Sequence, residues 1–65
     1  MDLKKLLKLV QGYGVIIKHS YSGEILYQGE AKDVPENVLK DPWLVLEARL
    51  TDVKNYNSDY ILTVY

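Results

Sequence analysis

The spacing of apolar residues changes once, near Gly12, and that change constrains the fold more than any other feature. Before it, Leu3, Leu6, Leu7 and Val10 recur at i, i+3, i+4 and i+7, the single stripe of an amphipathic helix. After it the apolar residues alternate or fall in short β-branched runs, the pattern of strands. Asp2 is placed to cap the orphan amides at the helix start, and Gly12, followed by Gly14, to end it. Lys4, Lys5 and Lys8 take the other face. A helix of about two turns does not persist alone in water, so this one must dock on the strands.

Two hairpins follow. Residues 13–20 carry Val15-Ile16-Ile17 and residues 24–30 carry Ile25, Leu26 and Tyr27, with Ser20-Tyr21-Ser22-Gly23 as the turn between them. Alternation puts Val15, Ile17 and His19 with Ile25, Tyr27 and Gly29 on the expected core face, and Ile16, Lys18, Leu26 and Gln28 on the other. In the second hairpin Leu44, Leu46, Ala48 and Leu50 alternate with Val45, Glu47 and Arg49, and Tyr60–Tyr65 is the return strand. The polar stretch 52–59 joins them. Between the hairpins, Asp33-Val34-Pro35-Glu36 has the form of a capping box, with Val38 and Leu39 facing inward and Asp41-Pro42 ending the turn. The expected fold is α+β. One domain over residues 1–65 packs an N-terminal helix on a four-stranded antiparallel sheet of two hairpins joined by a short helical turn, in the order α-β-β-α-β-β.

Size and composition narrow the function. A chain of 65 residues without cysteine has no disulfide framework and no thiolate for a metal or a nucleophile. A domain this small buries only about 60% of the surface its unfolded chain exposes, so a deep catalytic pocket would use core volume it can hardly spare. Completing the core by oligomerisation is the natural alternative. The formal net charge of −1 gives no bulk attraction to nucleic acid or to an anionic membrane. It is unevenly spread: residues 1–20 hold four lysines and one aspartate, net +3, and residues 21–65 hold four basic and eight acidic residues, net −4. The longest apolar run, Trp43-Leu44-Val45-Leu46, is far short of the ~20 residues of a membrane span. The lysines interrupt the first leucines, so no signal-peptide core forms, and the expected location is the cytoplasm.

No constellation of side chains points to catalysis, a metal or a cofactor, and the expectation is a protein that is not an enzyme. His19 is the single histidine and lacks the partners a general base or a metal site needs. Glu30, Asp33 and Glu36 lie close in sequence, but capping accounts for Asp33 and Glu36. Gly12-Tyr13-Gly14 comes after a helix and before a strand, the reverse of a phosphate loop.

The unusual signal is six tyrosines and one tryptophan with no phenylalanine. Tyrosine gives contact area at low entropic cost and carries a polar tip. The readings are a small core edged by half-buried tyrosines, a protein-binding surface, or stacking platforms for bases. Tyr21 and Tyr56 fall in turns, where the core has least need of them. The candidate interaction residues are therefore Tyr21, Trp43, Lys54, Asn55, Tyr56 and Tyr65, although Trp43 also suits a core plug at the start of the third strand. For the alternative, nucleic-acid binding, the candidates are Lys4, Lys5, Lys8 and Lys18. If the strand ending at Tyr65 lies at a sheet edge, it offers a pairing surface to a second copy.

Residues 23–41, GEILYQGEAKDVPENVLKD, resemble a run in short uncharacterised proteins of phages and prophages of Gram-positive bacteria. Gly23, Glu24, Tyr27, Gly29, Ala31, Asp33, Pro35 and Leu39 carry the resemblance. The long polar loop at 52–59 and the tyrosine-rich ending depart from it. The resemblance implies a small α+β accessory protein of a mobile element and brings no activity with it. The expected role is a protein–protein interaction module, acting on a host protein as inhibitor or adaptor or self-associating.

Overall fold

The structure is a computed structural model that describes residues 1–51 and 59–65. Helix α1 spans Leu3–Leu9 and is followed by β1 (Gly14–His19) and β2 (Ile25–Glu30). A 3₁₀ turn at Ala31–Asp33 and a single helical turn, α2 (Glu36–Leu39), lead to β3 (Val45–Thr51) and β4 (Asp59–Val64). The fold is α+β, and the hairpins β1–β2 and β3–β4 form as the alternation requires.

The sheet is mixed rather than antiparallel throughout. Its order is β2-β1-β4-β3, and β1 runs parallel to β4. Turn chemistry fixes each hairpin but not the joint between them. The connector leaves β2 beside Gly14, at the start of β1, and enters β3 beside Val64, whose partner is His19 at the end of β1. It therefore travels the length of the strands, and β4 runs in the direction of β1. The two strands apolar on both faces, with Val15-Ile16-Ile17 and Ile61-Leu62, take the centre, as strands covered on two sides do.

The core lies on one face. Val15 and Ile17 of β1 meet Leu62 and Val64 of β4, and Leu3, Leu7 and Val10 of the first helix, Ala31 and Val38 of the connector close over them. Asp2 caps α1 as expected, its carboxylate accepting from Lys4 N–H at 3.1 Å. The N-terminus also docks on the sheet: Leu3 N–H donates to Trp43 O at 3.1 Å, and Val45 N–H donates to Met1 O at 2.7 Å.

Three local expectations are corrected. A register shift between Ile17 and Lys18 pairs Lys18 with Ile25, skipping Leu26. That extra residue turns Ile25 out to solvent and brings Leu26 against the core. Asp33 closes the 3₁₀ turn instead of capping a helix, and Pro35 stands at the N-cap of α2 with no side-chain bond. The strand ending the sequence is interior, because β4 lies between β1 and β3, so its edge is not available to another chain. The open edges belong to β2 and β3.

Candidate interaction surface

One end of the sheet gathers several of the aromatic candidates. His19 ends β1, and its Nδ1 accepts from Tyr21 N–H at 3.1 Å and Ser22 N–H at 3.4 Å. The imidazole thus does for this turn what an Asn or Asp side chain does elsewhere. Its ring meets Trp43 edge to face, with centroids 5.6 Å apart. Trp43 is half-buried and packs against the core, which supports the plug reading over an exposed anchor. Next to it, Leu44 and Tyr65 exchange backbone bonds at 3.1 and 3.0 Å. Tyr21 stands at the tip of the turn, 95% exposed, and Tyr65 is also exposed. Three of the expected residues, Tyr21, Trp43 and Tyr65, therefore share this end. Lys54, Asn55 and Tyr56 lie outside the described residues.

The tyrosines divide. Tyr60 packs on the core and meets the more exposed Tyr13 edge to face at 5.2 Å. Tyr27 crosses over Gly29 and donates from Oη to Glu30 O at 2.8 Å. Partial burial, with the carboxylates of Asp33 and Glu30, holds its hydroxyl above the ordinary 10.0. A Cβ at Gly29 would stand 2.7 Å from Tyr27 Oη, so the glycine is what lets the ring lie there.

The lysine candidates do not form one patch. Lys4, Lys5 and Lys8 are exposed on α1, and Lys18 is half-buried on β1. Lys4 and Lys8 do meet Lys32 around an open hollow of about 230 Å³ floored by Leu7, Ala31 and Leu39. A second hollow, about 340 Å³, mixes Asp2 and Asp41 with Lys4 and Lys40. Neither converges on a buried polar group: no polar or charged side chain is buried among the described residues. Among those residues no three His, Asp or Glu side chains stand close enough to hold a metal. No helix among them is long and apolar enough to cross a membrane.

Sequence reasoning missed the largest feature. The leucines of the β3 segment alternate as a core-facing stripe would, yet Leu44, Leu46 and Leu50 are 43%, 63% and 56% exposed. Ala48 is exposed with them. Its partner Leu62 is fully buried, so at this level the cover on the core face ends between β4 and β3, whereas at the start of the strand Val45, opposite Val64, packs on the core and the register shift at Leu46 leaves Leu44 beside Tyr65. The signal was available: a seven-residue first helix, about 10 Å long at 1.5 Å per residue, is too small to roof four strands spaced about 4.8 Å apart.

No family model, curated protein or solved structure matches the chain. The residues themselves define its class: a small α+β domain with a mixed sheet, whose third strand carries uncovered leucines.

Proposed function

We infer that the protein is a non-enzymatic interaction module that binds another protein chain through the β3 side of its sheet. The observation that carries this reading is the uncovered set Leu46, Ala48 and Leu50 on an edge strand. Contiguous exposed apolar surface on a small domain marks a contact site more often than a tolerated defect. An edge strand adds unpaired backbone groups to which a partner strand can bind. Tyr21 and Tyr65, exposed at the end where β3 begins, extend the surface with rigid aromatic anchors. In the setting that the resemblance to phage and prophage proteins implies, the module acts on a host protein or assembles with itself, inside the host cell.

The test uses the tagged full chain, a Leu46→Lys, Leu50→Lys variant, and lysate of a Gram-positive host treated with nuclease. Near-stoichiometric retention of a protein by the parent chain and its loss from the variant is the expected result. Retention that disappears with nuclease overturns the reading in favour of nucleic-acid binding through Lys4, Lys5 and Lys8. Retention that the variant keeps overturns the assignment to β3.

A further inference from the structure

We propose that the partner of the β3 edge is a second copy of this chain, paired antiparallel about a two-fold axis at Ala48. The proposal rests on the interaction reading above and names the occupant of that surface.

The open stretch has defined limits. Met1 covers the beginning of β3, where Val45 N–H donates to its carbonyl. Beyond that point no described residue pairs with the outer edge of β3. The free edge therefore begins at Leu46, the extra residue of the β3 register shift, and runs regularly from Glu47 to Leu50 with no proline or lysine to block pairing.

That segment complements itself. A two-fold axis at Ala48 sets Leu46 opposite the partner's Leu50 and Glu47 opposite the partner's Arg49, and repeats both pairs on the far side of the axis. Leucine meets leucine, and each carboxylate meets a guanidinium. Within one chain Glu47 Oε1 and Arg49 Nε already stand 3.5 Å apart on the same face, both side chains largely exposed. Each is thus free to bond along the strand and across it. A register displaced by two residues would place Glu47 against the partner's Glu47, or Arg49 against the partner's Arg49, and like charges directly opposite are unfavourable.

The backbone phase agrees. Ser20 N–H donates to Val64 O at 2.8 Å, so Val64 turns its peptide groups toward β1. Alternation then turns Thr63 and Ile61 toward β3, where Glu47 and Arg49 are their partners. Ala48, between them, directs its N–H and C=O to the open edge. A hydrogen-bonded antiparallel pair at the axis needs those two groups. The result is one continuous eight-stranded sheet, two four-stranded halves, with both first helices on the same face.

The other edge does not offer this. In β2, Ile25–Glu30, there is no lysine or arginine to face Glu30, so the strand cannot form opposite-charge pairs with a second copy of itself.

The test is sedimentation equilibrium of the full chain with charge variants. The parent protein is expected to form a species of twice the 7.5 kDa chain mass at high micromolar concentration. Glu47→Arg alone, and Arg49→Glu alone, should each weaken the dimer about tenfold or more, because both symmetric pairs become repulsive. Mixing the two variants should restore it, since each Arg then faces a Glu. Ala48→Cys gives a second readout that needs no charge change. The chain has no cysteine of its own, and facing Cβ atoms of a hydrogen-bonded pair stand ~5.5 Å apart, so a short bis-maleimide should cross-link the two thiols into a covalent dimer. A parent chain that stays monomeric, or a dimer indifferent to both charge variants, overturns the proposal. A monomer that still retains a host protein through Leu46 and Leu50 overturns the dimer and leaves the interaction reading standing.

Discussion

Ile16 and Ile17 are neighbours on β1 that face opposite sides of the sheet, and replacing each with valine tests which side holds the core. Ile17 is fully buried beside Leu62, whereas Ile16 is half-buried beside Ile61 on the other face. Valine keeps the β-branch, so strand preference is held constant and one methylene is lost in each case. At Ile17 the loss is a buried methylene, about 0.8 kcal/mol of transfer energy, plus a cavity term. Ile→Val in a core costs roughly 0.5–1.5 kcal/mol in total. At Ile16 water already reaches part of the side chain, and the cost should be below about 0.5 kcal/mol, as at other partly exposed positions. A chain of 65 residues has a stability of roughly 3–10 kcal/mol, so both variants fold. With ~4–8 °C of Tm per kcal/mol for a domain of this size, Ile17→Val should melt about 2–12 °C lower, and Ile16→Val should lose less than Ile17→Val and at most about 4 °C. Thermal melts followed by circular dichroism at low concentration, where dimer does not contribute, measure both. Equal losses, or a larger loss at Ile16, would refute the placement of the core on the α1 face.

Other expectations follow from single contacts. Gly29→Ala should displace the Tyr27 ring and cost about 1 kcal/mol or more, read as a lower urea midpoint, with Tyr27→Phe reproducing the part due to one hydrogen bond, ~0.5–1.5 kcal/mol. The Tyr27 hydroxyl is held above 10.0, so its contribution is complete below the unfolded value and fades as pH rises through the folded one. The stability lost on going to strongly alkaline pH should therefore be smaller in Tyr27→Phe than in the parent, measured by urea titration at each pH. His19→Ala should loosen the turn at 20–23 and change Trp43 fluorescence. His19→Asn should restore the turn, since its amide oxygen accepts the same two amides, without restoring the Trp43 contact. Asp2→Ala should remove the cap and cost about 1 kcal/mol, seen as a lower urea midpoint.

Local signals in the sequence were sufficient for the elements and insufficient for their arrangement. The first helix and its Asp2 cap, the β1–β2 turn with Gly23 at a φ of 75°, and the buried pair Val15 and Ile17 follow from spacing and turn chemistry. The parallel union of β1 with β4 does not, because it depends on where a connector of about a dozen residues docks, and Ala31 and Val38 decide that by burial. The extra residue at Leu26 was equally hidden, since a shift of one residue exchanges faces without altering composition. For the site, Tyr21 was legible as exposed from its turn and Trp43 more nearly as a plug, whereas Tyr65 was placed by an edge-strand reading that the interior position of β4 removes. The leucines of β3 escape such reading because alternation reports that a strand has an apolar face, not that something covers it, and because the shift at Leu46 makes Val45 the residue that packs on the core.

The contrast between the two edges argues for the meaning of β3. Small sheets block unwanted pairing with bulges, lysines, prolines or a covering segment. β2 has an extra residue at its beginning and polar Gln28 and Glu30 toward its end. β3 also shows a register shift, between Val45 and Glu47, whose extra residue Leu46 stands next to the point where Met1 covers the edge. From Glu47 to Leu50 the strand has no bulge, lysine or proline, and leucines at 46 and 50 flank an opposite-charge pair. Simple neglect of an edge would leave charges in any order. The order Leu-Glu-Ala-Arg-Leu complements itself about its central residue, and reversing either charge alone would destroy that property. An edge left open for a different protein has no reason to match itself, so the mixing of Glu47→Arg with Arg49→Glu separates the two cases: recovery of dimer requires the chain to be its own partner.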